Sequence, residues 1–118
     1  MKLIIAGTRT FDNYGLLADT LYNRYGLGFA TTKLEIVSGT AKGADKLGEG
    51  FAEYHNLKLT KFPADWDKYG KSAGIIRNRQ MAEYADEAVV FWDAHSKGSL
   101  NMIQTMRDLG KPVYVVIY

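Results

Sequence analysis

The stretch LEIVSGTAKGADKLGEGFAEYH, Leu34–His55, decides how the rest of the chain is read. It opens on a β-prone apolar run and closes on a segment whose Ala44, Leu47, Phe51 and His55 share one helical stripe. Between them, Ser38, Gly39, Thr40 and Gly43 make a loop richer in glycine and hydroxyls than a bare connection requires. A strand, a glycine loop and a helix in that order form half of a βαβ crossover. Free amides at such a helix start, with the helix dipole, accept an anion. Glycines let a phosphate come close, and Ser38 and Thr40 add donors. A tight strand-to-helix turn would use the same residues. The loop has no GKS or GKT ending and is not GxGxxG, so it names no nucleotide.

The same alternation runs outward in both directions. Lys2–Gly7 reads as a buried strand ended by glycine. Asp12 is expected to cap a helix over 13–25, with Tyr14, Leu17, Ala18, Leu21 and Tyr25 on its apolar face. Strands follow over 34–38 and 57–62, the latter alternating and therefore nearer an edge. A helix over 43–55 separates them. Residues 63–74 read as an irregular loop, whose Pro63–Gly70 part is long and aromatic enough to suit a lid carrying Asp65, Trp66 and Tyr69, or a packed surface loop or dimer contact. A helix over 73–84, a strand over 88–92, a helix over 99–109 and a last strand from Pro112 complete the order. Gly110 is placed to end the last helix. Runs apolar on both faces imply a parallel sheet covered on both sides. Right-handed crossovers then give α/β architecture: a three-layer, Rossmann-like, doubly wound sheet of about five strands in the order 3-2-1-4-5.

The 118 residues fit a single domain, 1–118, and 47% hydrophobic content fills a core. Without cysteine the chain has no disulfide, thiolate metal site or thiol nucleophile, which suits a reducing, cytoplasmic location. MKLII is too short an apolar run for a signal peptide or membrane span, so no membrane partner is expected. A net charge of +2, with both signs interspersed, lacks the basic stripe of a dedicated nucleic-acid binder. No His, Asp and Glu cluster has metal-ligand spacing, so no metal is expected and no cofactor is required.

In the order 3-2-1-4-5, ligands sit at the carboxyl ends of the strands where the chain direction reverses. The loops GTRTF, SGTAKGAD and WDAHSKGS should therefore meet. Gly7, Thr8 and Arg9 end the central strand, and the arginine can pair with phosphate or carboxylate. Asn78 falls inside the apolar arc of Ile75, Met81, Ala82 and Ala85, where a buried amide needs partners in the protein or in a ligand. Arg77 and Arg79 flank it. Ser96, Gly98 and Ser99 form a second anion-accepting helix start, with Ser96 or Ser99 as cap. Asp93 could hold a ribose hydroxyl, act as a base or pair with a nearby cation. Trp92 suits base stacking or core packing, and His55 reads as structural.

The ordered motifs IIAGTRTF, VSGTAKGADKLGE, FPADWDKYGKSAGIIRNRQMAEYAD and FWDAHSKGSLNMI resemble the YspA-like, YpsA-related branch of the SLOG superfamily over nearly the whole chain. That superfamily is Rossmann-like and includes LOG-type phosphoribohydrolases and the DNA-binding DprA proteins. The branch, which also occurs in phages, is expected to bind nucleotides or nucleotide-derived ligands of NAD or ADP-ribose type. Carried onto this chain, the resemblance implies ligand contact by Gly7, Thr8 and Arg9; by Ser38, Gly39, Gly43, Ala44 and Asp45; by Arg77 and Asn78; and by Ser96, Gly98 and Ser99. Thr40 and Asp93 join them from the loop chemistry. The LOG segment PGGxGTxxE is replaced here by HSKGSLNMI, which puts Asn101 and Met102 where a catalytic acid is wanted. The branch's SGGARGAD also becomes SGTAKGAD, with Thr40 narrowing the loop and Lys42 losing bidentate geometry.

The expectation is thus a nucleotide-binding domain for sensing or sequestration, with a homodimer or higher homo-oligomer as partner; Tyr22, Tyr25 and Phe29 would suit a contact between copies. An alternative is hydrolysis of a nucleotide N-glycosidic bond, with Asp93 or Asp45 as carboxylate and Arg77 as electrostatic stabiliser. A third reading is single-strand DNA binding along Arg9, Lys42, Arg77 and Arg79.

Overall fold

The computed structural model describes residues 1–26 and 34–118. Five strands, β1 (Lys2–Gly7), β2 (Glu35–Ser38), β3 (Lys58–Lys61), β4 (Glu87–Trp92) and β5 (Val113–Ile117), form one sheet in the order β3-β2-β1-β4-β5. Every pairing is parallel. Helices α1 (Tyr14–Tyr25), α2 (Ala44–Tyr54), α3 (Trp66–Tyr69), α4 (Ala73–Tyr84) and α5 (Lys97–Asp108) connect and cover it. This is the doubly wound, three-layer arrangement that the alternating sequence predicts.

The strand period of two sorts side chains into two cores. Leu3 and Ile5 of β1, with Val89 and Phe91 of β4, join Leu17, Leu21 and Phe51 from α1 and α2. Ile4 and Ala6, with Ala88 and Val90, face the opposite way against Met81, Ala82, Met102 and Met106 of α4 and α5. The central strands β1 and β4 are covered on both faces and have no exposed position. β3 is an edge strand, as its alternation predicts, and exposes Lys58 and Lys61 at its ends. Lys111 closes α4 from β5's side: its ammonium donates to the carbonyls of Ala82, Glu83 and Ala85 at 2.8, 3.0 and 2.7 Å. Cations at a helix end offset its dipole and satisfy its free carbonyls.

Several local expectations are corrected. Asn13, not Asp12, caps α1, its Oδ1 accepting from the Leu16 amide at 3.0 Å. Both residue types cap well; tertiary packing decides between them. Phe11 is buried and stacked on Phe91 at 4.7 Å, which holds the loop until one residue later. Tyr14 is exposed rather than on the core face. The loop over 63–74 is not irregular throughout, because α3 forms there with Asp65 accepting from the Lys68 amide at 3.1 Å. A 3-10 turn, Gly70–Ser72, follows it. α5 starts at Lys97 rather than Ser99, since Ser96 provides its cap.

Ile75 is 59% exposed although its wheel position matches Ala82. The wheel gives direction but not depth: Ile75 lies in the first turn of α4, about one turn before the buried Asn78. Tyr22 and Tyr25 pack against the first core instead of forming an outer aromatic surface. Tyr22 bonds His55, which lies on Phe51, so His55 is structural as read. Phe29 lies outside the described residues. Among those described, no helix is long and apolar enough to cross a membrane.

Candidate functional site

At the carboxyl ends of β1 and β4 the chain turns in opposite directions, and a cavity of about 370 Å³ opens between the resulting loops. Gly7, Thr8, Arg9 and Thr10 form one wall. Asp93, Ser96, Gly98 and Ser99 form the facing wall. Ala41 and Asp45 come from the β2 side, and Arg77 and Asn78 from α4. Ala6, Met81 and Met102 line the rest. The three loops expected to meet do meet.

Backbone contacts hold the walls together. The Thr8 amide donates to Phe91 O at 2.9 Å, and the Thr8 hydroxyl accepts from the Asp93 amide at 3.1 Å. Thr8 is buried, so this clasp between the two loops is shielded from water. The β2 loop is locked beneath it by Gly43. At φ 79°, a Cβ on this residue would lie 2.3 Å from Thr8 O and 2.6 Å from Arg9 O. Only glycine allows that approach. Gly7 has a similar reason, since a Cβ there would reach 2.2 Å from Phe91 O. Thr40 shows the opposite case: it is a β-branched residue held at φ 65°, a costly conformation.

The polar residues divide by what they already hold. Ser38 is fully buried; its hydroxyl donates to Glu49 at 2.6 Å and accepts from the Thr40 amide at 3.1 Å. Ala44 is equally buried under the loop. Neither lines the cavity, so both shape the loop from beneath. Asp45 Oδ2 accepts from the Ala41 amide at 3.2 Å. A carboxylate of the protein thus occupies part of the amide cradle expected to receive an anion. Gly39 leaves room for it: a Cβ there would sit 2.9 Å from both Asp45 Oδ2 and Arg77 Nη1. Burial pushes Asp45 up to about 6, although the Ala41 amide and the Arg77 charge oppose the rise.

Asn78 is buried, and its partners lie within the protein. Nδ2 donates to Gly98 O at 3.2 Å and to Asn101 Oδ1 at 3.0 Å, while Oδ1 accepts from Arg77 Nε at 3.0 Å. It fixes the start of α5 to α4 and aims the guanidinium of Arg77. Arg77 also donates to Gly39 O through Nη1. Burial depresses Arg77, Asp45 supports its charge, and neighbouring Arg9 depresses it further. Two guanidiniums thus share one rim, with Arg9 exposed. Arg79 points away and pairs with Glu83 at 3.8 Å.

Asp93 is committed to its own loop: Oδ1 accepts from the amides of His95 and Ser96, both at 2.8 Å. Those two bonds hold its carboxyl below the usual range. Ser96 caps α5 through the Ser99 amide at 3.3 Å, and the Ser99 hydroxyl donates to Ser96 Oγ at 3.1 Å. Trp92 packs on the second core and donates from Nε1 to Ser96 O at 3.0 Å, which excludes it as a free stacking platform in this conformation. Thr10 and Ala41 carry no sequence signal for the site; Met81 and Met102 carry a core signature, and only the fold shows that they also face the cavity.

A second cleft, of about 550 Å³, adjoins the first. It shares Arg9, Ala41 and Arg77 with the cavity and adds Gly39, Thr40, Lys42, Pro63, Ala64 and Trp66.

The fold and the position of the cavity define a Rossmann-like domain with its pocket at the topological switch point. The chain belongs to the YspA, cpYpsA-related SLOG family, whose model matches residues 1–69. It is 30% identical over 123 residues to the Gene 61 protein of Mycobacterium phage D29, covering 95% of this chain and 93% of that protein. The X-ray structure of DNA processing protein A (DprA) from Streptococcus pneumoniae matches it with a TM-score of 0.74 at 21% identity. That superposition covers 97% of this chain but only 49% of the DprA chain, and it bears on the fold alone.

Proposed function

We propose that this domain binds the phosphate end of a nucleotide or nucleotide-derived ligand, for sensing or sequestration. The observation that carries this reading is the pairing of Arg9 and Arg77 on one rim of the cavity, opposite the start of α5 at Gly98 and Ser99. Two guanidiniums held close repel each other unless an anion lies between them. Asp45, which also lines the cavity, offsets Arg77, while the exposed Arg9 adds a second positive charge beside it. Phosphate also gains from the helix start, by roughly 0.3–2 kcal/mol, and from bidentate arginine bonds. Thr8 and Asn78 act by holding these groups in place.

A thermal-shift series with AMP, ADP, ADP-ribose, NAD and cyclic dinucleotides tests the reading. A ligand at about 100 times its Kd adds roughly 2.7 kcal/mol of stability. Arg9→Ala should fold as the parent does, since its side chain is exposed, and should lose most of the shift. No shift with any phosphate-bearing compound would refute the reading.

Asp45 favours a second reading. A cavity-lining carboxyl at about 6 can exchange a proton near neutral pH, and Arg77 beside it can stabilise developing negative charge. N-glycosidic hydrolysis would then use Asp45 rather than Asp93, whose Oδ1 is already engaged by two amides. Release of free base on incubation with nucleotide, abolished in Asp45→Asn, separates hydrolysis from simple binding. DNA binding, suggested by the name of the DprA protein, predicts a steep loss of oligonucleotide affinity with salt.

A further inference from the structure

The second cleft differs chemically from the first. Arg9, Lys42 and Arg77 surround it, and no carboxylate lines it among the described residues. The first cavity, by contrast, contains Asp45 and Asp93. Trp66, 52% exposed on α3, also lines the second cleft. Its indole edge lies over Gly74, where an added Cβ would be 3.5 Å from Cη2, so no side chain from that position crowds it. A lone exposed aromatic is ordinary. Here the aromatic shares a concave surface with three cations, two of which also border the cavity.

We propose that the second cleft holds the aromatic base of the ligand, stacked on Trp66, with its phosphates crossing the Arg9–Arg77 ridge toward the start of α5. This rests on the phosphate-binding reading above and deepens it. Every base offers a π-face to an indole, so the platform selects for an aromatic ring rather than for one base. A monophosphate would leave either Lys42 or the α5 start unused. A chain of two or more phosphates engages both, and the ligand class is therefore a nucleoside diphosphate or a diphosphate-linked derivative. The carboxylates of the first cavity then face whatever lies beyond the terminal phosphate, where sugar hydroxyls can donate to them.

Calorimetric titration of ADP and of inorganic pyrophosphate into the wild type and Trp66→Ala tests this. The side chain is half exposed, so its removal should not disturb folding. Pyrophosphate should bind both proteins alike. ADP should bind the wild type roughly 10- to 100-fold more tightly than pyrophosphate and lose that advantage in the variant. If pyrophosphate binds but Trp66→Ala leaves ADP unchanged, the base platform is wrong while the phosphate site stands. If neither probe binds the wild type, both readings fail. A thymidine oligonucleotide that binds more tightly than ADP, and depends on Trp66, would overturn the small-ligand assignment in favour of a nucleic-acid groove.

Discussion

Asp45→Asn turns the most unusual electrostatic feature of the site into a stability measurement. The carboxyl is buried and titrates at about 6 against an ordinary 3.8, because burial penalises its charged form more than Ala41 and Arg77 favour it. A raised acid pKa means that the folded protein holds the proton more tightly than the unfolded chain. The resulting stability is fully present below 3.8 and is lost as the pH rises through about 6. The interval corresponds to about 3 kcal/mol in full, and about 2 kcal/mol lies between pH 4 and pH 7. Other carboxylates also titrate there, so the useful quantity is the difference between wild type and Asp45→Asn at each pH. Asparagine cannot ionise, yet its oxygen can still accept from the Ala41 amide. Urea unfolding of both proteins at steps from pH 4 to pH 8 should show the wild type losing about 2 kcal/mol relative to the variant, mostly between pH 4 and pH 6. A pH-independent difference would refute the account, since it would mean that the carboxyl is either well solvated or fully compensated by Arg77.

Gly43→Ala should destabilise by more than about 3 kcal/mol, because its Cβ would overlap two backbone carbonyls at a positive φ; thermal unfolding checks this. Thr40→Gly should leave the unfolding free energy unchanged or raise it by up to about 1 kcal/mol, read by thermal unfolding, since relief of the left-handed strain offsets the added freedom of the unfolded chain. A fall of several degrees would show that threonine makes a contact worth more than the strain. Asn78→Asp should cost about 1–3 kcal/mol, measured by denaturant, and weaken phosphate binding, because an oxygen would replace the donor facing Gly98 O.

How much of this was legible in the sequence depends on whether the signal is local. β1 and β4 read clearly because burial on both faces leaves continuous apolar runs, and the alternation of strand and helix then fixes the topology. The convergence of three loops followed from that topology. What could not be read is depth and partnership. Ile75 has the correct helical phase but is left exposed in the first turn of α4, and Asn13 replaces Asp12 as cap because Phe11 is pinned on Phe91. Tyr22 and Tyr25 look like surface aromatics until α1 is docked. The glycines of SGTAKGAD signal a close approach, but the sequence leaves open to what: Gly43 meets the carbonyls of Thr8 and Arg9. That Asp45 turns back into its own amides, and that Asn78 serves Arg77 and α5, are relations between distant or folded-back groups that no spacing encodes.

The clasp at Thr8 has a kinetic corollary. A mouth whose two lips are tied by one main-chain bond and by the Thr8 hydroxyl need not rearrange before a guest arrives. Stopped-flow mixing should then give a single exponential whose rate grows linearly with concentration, without the plateau that a slow opening step imposes. Removing the hydroxyl half of the tie with Thr8→Val should introduce that plateau while leaving the charges around the mouth in place.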